Sequence, residues 1–343
     1  MNHGAAGTQW HVPSARSLVL SGVVVLLVGL GLYLLLPRIA GLDDTWDRID
    51  EGQPAWLAAA LALELASYAS YVLLLRAVIA RPPARLGWHE CTLITVAGVA
   101  ASRILAAGGA GGVALTAWAC RRAGMPARLV AVRLTAFMVL LYGVFMAALL
   151  VGGVGLRTGV LAGAAPGGVT VPAAAFGGTV IVTALLMTAA PREWRPRSRW
   201  RPVRWLSAAT GAVRDGVREA IALTFRYRDA RLLGAVGWWA FDIAVLWACV
   251  RAFGGTIETA PLVVSYFVGM LGNLLPVPGG IGGVDGALIG ALIAFGVSGG
   301  LAIAAVLVYR AFAFWLPTIP GIYAYVRLVR EARDWSRAAV RRG

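Results

Sequence analysis

Residues 273–286 read Asn-Leu-Leu-Pro-Val-Pro-Gly-Gly-Ile-Gly-Gly-Val-Asp-Gly and interrupt a hydrophobic segment of the chain. Because its prolines remove backbone donors and its glycines bring no side chain, this stretch cannot continue as one unbroken helix through lipid. Irregular backbone at membrane depth is tolerated only where protein or a water-filled cavity satisfies its polar groups. The stretch therefore predicts a break that shapes a polar site.

The composition is that of a polytopic membrane protein. The 343 residues are 59% hydrophobic and 14% charged, with a mean hydropathy of +0.76, which lies outside the range of soluble domains. The net charge is +15, and all 31 basic residues are arginine. Because these arginines lie between apolar segments, they indicate membrane orientation and contact with anionic lipid rather than nucleic acid.

Apolar runs of membrane-spanning length predict an all-α protein with six full spans. They lie at 17–36, 54–75, 130–152, 168–190, 232–253 and 301–326. The first run ends in Pro37-Arg38, so we expect an uncleaved span rather than a signal peptide. Two further apolar stretches, 91–120 and 260–297, are split by glycine and are short for two crossings each. We therefore predict two re-entrant hairpins.

Arginine-dense segments predict the orientation, because such segments stay in the cytoplasm. They lie at 76–85, 121–128, 191–231 and 327–342, whereas the acidic residues at 43–51 fall on the other side. Both termini are then cytoplasmic. The basic segment 191–231 is the largest non-membrane piece, and its residues 206–223 fit either a helix on the membrane surface or a simple connecting helix.

The two glycine-rich breaks predict an inverted repeat within a single transmembrane domain. Residues 108–112 match residues 279–283 at an offset of 171, and the halves cover about 17–153 and 168–326. Because the first half has an odd number of spans, the hairpins enter from opposite sides. Such repeats with breaks at corresponding positions point to a transporter-like site near the midplane. The predicted break residues are Gly108, Gly109, Gly111, Gly112, Pro276, Pro278, Gly279, Gly280, Gly282, Gly283 and Asp285.

Residues 273–286 resemble the C-terminal signature of the flippase-like family named for the transmembrane region of lysylphosphatidylglycerol synthase. Residues 102–112, followed by Arg121-Arg122-Ala123-Gly124, resemble its N-terminal motif, and the resemblance covers nearly the whole chain. Ala106, Val113 and Thr116 stand where many members carry a proline, an acidic residue and an arginine. The soluble aminoacyl-transferase domain of the synthases is not expected here.

The resemblance implies movement of a lipid or lipid-linked group between the leaflets of a bacterial-type plasma membrane. The expected partners are membrane lipids, anionic or polyprenyl-linked, and a separate lipid-modifying enzyme is a further candidate. Two other functions stay open on the sequence. One is secondary transport of a soluble ion or solute, and the other is a non-enzymatic subunit that anchors a cell-envelope enzyme.

Intramembrane charges provide the candidate substrate-binding residues, because a charge inside a span is costly unless it has a role or a partner. Arg103 and Arg310 can bind a phosphate headgroup or pair with a carboxylate. Glu64 and Asp242 are candidate ion-pair partners for those arginines or a proton relay. Asn273 can offer its amide to the broken backbone or to the headgroup.

Asp285 is expected to stabilise the start of the returning helix or to contact a cationic group, because it follows the second glycine pair closely. No metal-ligand spacing, nucleotide-binding motif or catalytic signature occurs in the sequence. We therefore expect no enzyme activity, no cofactor and no metal.

Overall fold

The computed structural model describes residues 52–82, 86–104, 110–189, 201–227, 229–275, 277 and 280–340, together with residue 20. Every regular element in these ranges is helical. In chain order the helices are α1 Pro54–Val78, α2 Trp88–Ile104, α3 Ala110–Arg122, α4 Ala127–Arg157, α5 Gly167–Ala189, α6 Arg201–Ala222, α7 Gly234–Ala252, α8 Thr259–Leu271, α9 Gly283–Ala294, α10 Gly299–Arg310 and α11 Leu316–Val340. A π-helical turn, Ala311–Trp315, joins α10 to α11.

Five helices of the described chain are long and apolar enough to cross a membrane. They are Pro54–Val78, Ala127–Arg157, Gly167–Ala189, Ala230–Ala252 and Gly299–Ala332. These correspond to five of the six predicted spans, so a polytopic helical membrane protein is confirmed. The first predicted span, 17–36, lies outside the described residues apart from residue 20, as do Gly108, Gly109, Pro276, Pro278, Gly279 and residues 190–200.

The arginine-rich segments gather at one end of the helices. Arg81 at the end of α1 lies 3.8 Å from Glu219 of α6, and Arg128 at the start of α4 lies 3.3 Å from Asp215 of α6. Arg218 of α6 donates to the carbonyl of Thr188 at the end of α5. The end of α1, the start of α4, the end of α5 and α6 therefore share one end of the molecule, called here the arginine end.

The opposite end is formed by the other termini of the same helices. The amide of Gln53, just before α1, donates to the carbonyl of Ala252 at the end of α7, over 3.0 Å. Near the start of α8, a Cβ added at Gly163 would lie 2.7 Å from Glu258 Oε2, so the loop after α4 reaches this end too. This region is called here the far end.

Helices α1 and α7 pack side by side and antiparallel. Small and polar residues bring them close, since a Cβ added at Gly234 would lie 2.9 Å from Leu74 N. Ser67 of α1 donates to the carbonyl of Trp238 of α7 over 2.8 Å. Next to this contact, Trp239, Phe145 and Phe267 form an aromatic cluster with ring centroids 4.6 to 5.6 Å apart. Such close packing fixes the polar groups on the two helices relative to each other.

Candidate functional site

The π-helical turn Ala311–Trp315 is the point where two of the predicted site residues meet. Arg103, one residue before the end of α2, donates from Nη1 to the carbonyl of Phe314 over 2.9 Å and from Nη2 to the carbonyl of Ala313. Its guanidinium lies 5.3 Å from the centroid of the Phe314 ring, and that of Arg310 lies 4.4 Å from it. Arg103 and Arg310 are therefore brought together around Phe314, which is itself buried.

Arg310 forms an ion pair with Asp285. The Nε of Arg310 lies 2.8 Å from Oδ1 of Asp285, and both side chains are largely buried. The other carboxylate oxygen, Oδ2, accepts the amide N–H of Gly282 over 2.8 Å, which caps the start of α9. Asp285 therefore has both roles expected of it. The sequence analysis did not name Asp285 as the partner of Arg310, and this ion pair forms because the start of α9 lies next to the end of α10.

Glu64 and Asp242 lie against each other where α1 and α7 pack. Their carboxyl groups are electrostatic neighbours, and both side chains are buried. The Oδ2 of Asp242 accepts hydrogen bonds from the hydroxyls of Tyr266 in α8 and Tyr309 in α10, the latter over 3.1 Å. Arg103 is an electrostatic neighbour of both carboxyl groups. These side chains form a continuous polar network, called here the polar chain. It runs from Arg103 through Glu64 and Asp242 to Tyr309, the neighbour of Arg310 in sequence.

The sequence analysis missed Tyr68, Tyr266, Tyr309 and Phe314. A signal existed for the tyrosines, because a tyrosine inside an apolar helix needs a hydrogen-bond partner for its hydroxyl. The hydroxyls of Tyr266 and Tyr309 donate to Asp242, and Tyr68 is an electrostatic neighbour of Arg103 and Glu64. Phe314 offered no signal, since one phenylalanine in an apolar span is ordinary.

The two helices of each short pair, α2 with α3 and α8 with α9, are held together by close backbone contact. A Cβ added at Gly112 of α3 would lie 2.5 Å from the carbonyl oxygen of Gly98 in α2. A Cβ added at Gly272, just after α8, would lie 2.5 Å from backbone atoms of Gly283 in α9. Gly280 and Gly282 have φ values of +65° and +82°, a conformation that favours glycine. Gly111, Gly112 and Gly283, predicted as break residues, lie instead in the first turns of α3 and α9, where the absence of a side chain allows the close contact, whereas Gly280 and Gly282 lie in the turn before α9.

Two polar residues near these glycines contact backbone. Asn273 is exposed and donates its amide to the carbonyl of Met270 over 3.2 Å, so here the amide serves its own turn. Ser102 Oγ accepts the amide N–H of Gly112 over 3.0 Å and joins α2 to α3. Ser102 therefore ties α2 to α3, and Asn273 stabilises the turn after α8.

Arg133 of α4 belongs to the arginine end. It is buried and donates to the carbonyls of Ile79, Arg81 and Pro82 over 2.6 to 3.0 Å. These carbonyls follow α1 and have no partner within that helix, so Arg133 satisfies the end of α1.

A cavity of about 560 Å³ lies at the far end, away from this polar chain. Its lining includes Val151, Leu161, Ile257, Glu258 and Val263 and is mostly apolar. None of the predicted site residues lines it. In the described part of the chain, no cluster of three or more His, Cys, Asp or Glu residues is placed to hold a metal ion.

Residues 18–321 match the family described as the lysylphosphatidylglycerol synthase TM region. The chain belongs to this family. The matched range contains Glu64, Arg103, Asp242, Asp285 and Arg310, so the polar chain lies within the part that the family model covers. The resemblance inferred from residues 102–112 and 273–286 is confirmed.

Two curated relatives are similar to parts of this chain. Each is described as a UPF0104 membrane protein of Methanothermobacter thermautotrophicus. One is 34% identical over 93 residues, which is 27% of this chain and 26% of the relative. The other is 30% identical over 113 residues, which is 31% of this chain and 34% of the relative. The aligned part thus spans about a quarter to a third of the length of these two relatives.

Proposed function

We propose that this protein is a lipid flippase, which moves an anionic phospholipid or a lipid-linked saccharide between the leaflets of a bacterial-type plasma membrane and has no enzyme activity. The observation that carries the proposal is the convergence of Arg103 and Arg310 on the turn Ala311–Trp315. A guanidinium binds phosphate through paired, charge-assisted hydrogen bonds. Membership of a family named for a lipid synthase supports the lipid as substrate.

The lengths and positions of the short helices support re-entrant hairpins. Helix α3 has 13 residues and α9 has 12, so each is about 18–20 Å long against ~30 Å of hydrocarbon. The pair α2 and α3 begins and ends at the arginine end, where Arg76 lies 4.2 Å from the Trp88 ring. The pair α8 and α9 begins and ends at the far end. In this arrangement Arg103 of α2 and Asp285 of α9 approach the region of the turn Ala311–Trp315 from opposite sides.

The offset of 171 residues supports an inverted repeat. It relates Gly112 to Gly283, two glycines that each lie against the preceding helix or turn of their own pair. It also relates Ser67 to Trp238, and these two residues are hydrogen-bonded across the α1–α7 contact. Residues that meet their own equivalents are expected along a two-fold axis between inverted halves.

The geometry suggests how a headgroup is handled. The two carbonyls that Arg103 contacts belong to the π-helical turn, and such turns are frequent at functional sites. A phosphate can replace those carbonyls as the partner of Arg103, while Arg310 stays oriented by Asp285. Rocking of the two halves about α1 and α7 then exposes the headgroup to one leaflet or the other. Both termini lie in the cytoplasm in this proposal.

The test is lipid exchange in vesicles that contain the purified full chain. The vesicles are phosphatidylcholine with a trace of acyl-labelled fluorescent phosphatidylglycerol, and a membrane-impermeant quencher reports the outer-leaflet fraction over time. We expect exchange with the wild-type protein and a rate at least about tenfold lower with Arg103→Ala, because a hydrogen bond to a charged group contributes about 1.5–3 kcal/mol. Arg103→Lys keeps the positive charge but loses the planar guanidinium that binds phosphate through two hydrogen bonds. Its exchange rate should lie between the rates of the wild type and Arg103→Ala.

The matched control is Arg128→Ala, since the Arg128 side chain is 87% exposed and its surface ion pair contributes little. Its rate should equal that of the wild type. Absence of exchange, together with uptake of a labelled soluble ion or solute, would replace the flippase by a secondary transporter. If deletion of α6 abolishes the protein's function in cells while Arg103→Ala has no effect, the protein is instead a membrane anchor for an enzyme.

A further inference from the structure

Glu64 and Asp242 are two acidic side chains buried in the middle of two membrane-spanning helices. Glu64 is 3% exposed and Asp242 is 9% exposed. They lie on α1 and α7, the two helices that pack against each other in antiparallel fashion. Each lies near the middle of its helix, far from both ends of the molecule.

One oxygen of each carboxyl group has no donor among the described residues. These atoms are Oε2 of Glu64 and Oδ1 of Asp242. The two carboxyl groups are also electrostatic neighbours of each other. Two ionised carboxylates side by side in a buried site repel each other, and each only accepts hydrogen bonds, so neither can satisfy the unpartnered oxygen of the other unless one of them carries a proton. A single proton between the two groups resolves both observations.

The surroundings decide which group carries that proton. The Oδ2 of Asp242 accepts two tyrosine hydroxyls, which stabilise negative charge on Asp242. The proton therefore belongs to Glu64, donated towards Asp242. The titratable and charged groups that face the pair come from five helices, and they are Tyr68 of α1, Arg103 of α2, Cys249 of α7, Tyr266 of α8 and Tyr309 of α10.

We infer that Glu64 and Asp242 form one proton-binding site whose remaining negative charge is balanced by Arg103, so that a proton and an anionic headgroup are bound together. With one proton, the pair has a charge of −1 against +1 on Arg103. An anion that binds Arg103 neutralises the positive charge that balances Glu64 and Asp242. The two carboxyl groups then take up a second proton, because their remaining negative charge no longer has a cationic partner. This coupling rests on the proposed function, because it makes the headgroup the anion.

The shared proton is tested by infrared spectroscopy of the purified full chain. A protonated carboxyl group gives a carbonyl stretching band separate from that of carboxylates. At neutral pH we expect this band in the wild type, its loss in Glu64→Gln and a change of its frequency in Asp242→Asn, where the acceptor changes. The matched control, Asp215→Asn, removes a carboxylate from a surface ion pair and should leave the band unchanged.

Isotope-labelled glutamate in the wild-type chain makes the same test without a substitution, since it should shift the band. A band that is absent, or that neither the label nor Glu64→Gln changes, overturns the shared proton. This measurement involves no lipid movement, so its result is independent of whether the protein is a flippase.

The coupling is tested in the phosphatidylglycerol exchange assay with an imposed pH gradient. We expect the gradient to change the wild-type rate severalfold, and we expect Glu64→Gln to exchange lipid at one rate with or without the gradient. Lipid exchange by the wild type that ignores the gradient overturns the coupling and leaves the flippase proposal standing.

Discussion

At the scale of single residues, Arg103 and Arg310 bring positive charge into an apolar interior. An ionised arginine at the centre of a spanning helix costs about 2.5–3.5 kcal/mol on insertion scales. Arg310 offsets this cost through the carboxylate of Asp285, whereas Arg103 uses two backbone carbonyls and the nearby carboxyl pair. A carbonyl is a weaker partner for a guanidinium than a carboxylate or a phosphate. Arg103 is therefore the arginine that can change partner.

The ion pair of Arg310 should be essential for stability. Arg310→Gln leaves Asp285 buried without its cation, and removing one partner of a buried pair costs about 3–5 kcal/mol. Arg327→Gln is the matched control, because Arg327 lies at the same 2.8 Å from Glu331 but is 45% exposed. We expect a marked loss of thermal stability in Arg310→Gln and almost none in Arg327→Gln. Equal losses, measured by fluorescence-detected melting in detergent, would contradict a structural role for the pair.

The sequence allowed the charged residues to be selected but left their partners open. Arg103, Arg310, Glu64, Asp242 and Asp285 stand out because each is an ionisable side chain inside an apolar segment. Which of them pair depends on how helices far apart in the chain pack. Asp285 reaches Arg310 because the turn after α8 carries it there.

At the scale of helices, the two pairs of short helices depend on glycines that let backbone meet backbone. The predicted stretches 91–120 and 260–297 correspond closely to α2 with α3 and α8 with α9. Their positions could be predicted because proline and glycine interrupt helices in a recognisable way. The π-helical turn could not, since Ala311–Trp315 reads as ordinary apolar helix.

Gly272 gives a direct test of the contact between α8 and α9. In Gly272→Ala the new Cβ would lie 2.5 Å from Gly283 C and O and from Val284 N, so the two segments must move apart. Gly286→Ala is the matched control, because an added Cβ meets nothing within 4 Å there. We expect Gly272→Ala to lower both thermal stability and lipid exchange, and Gly286→Ala to preserve both. Tolerance of Gly272→Ala would contradict the close contact.

At the scale of the whole molecule, charge and packing group the same segments at one end. The arginine-dense segments predicted to be cytoplasmic lie together at the arginine end, linked by Arg81–Glu219 and Arg128–Asp215. Composition and arginine spacing were enough to predict this grouping, because they act segment by segment. The antiparallel contact of α1 with α7 could not be predicted. It depends on which small residues face the other helix, such as Gly234 against the backbone of Leu74.

The movement of lipid between leaflets is tested most directly by the lipid composition of each leaflet in cells that make or lack the protein. We predict that one anionic or polyprenyl-linked lipid becomes enriched in one leaflet when the protein is absent. The wild-type protein and Arg128→Ala should restore the distribution, and Arg103→Ala, present in the membrane at equal amount, should not. Identical leaflet compositions with and without the protein would contradict the flippase proposal.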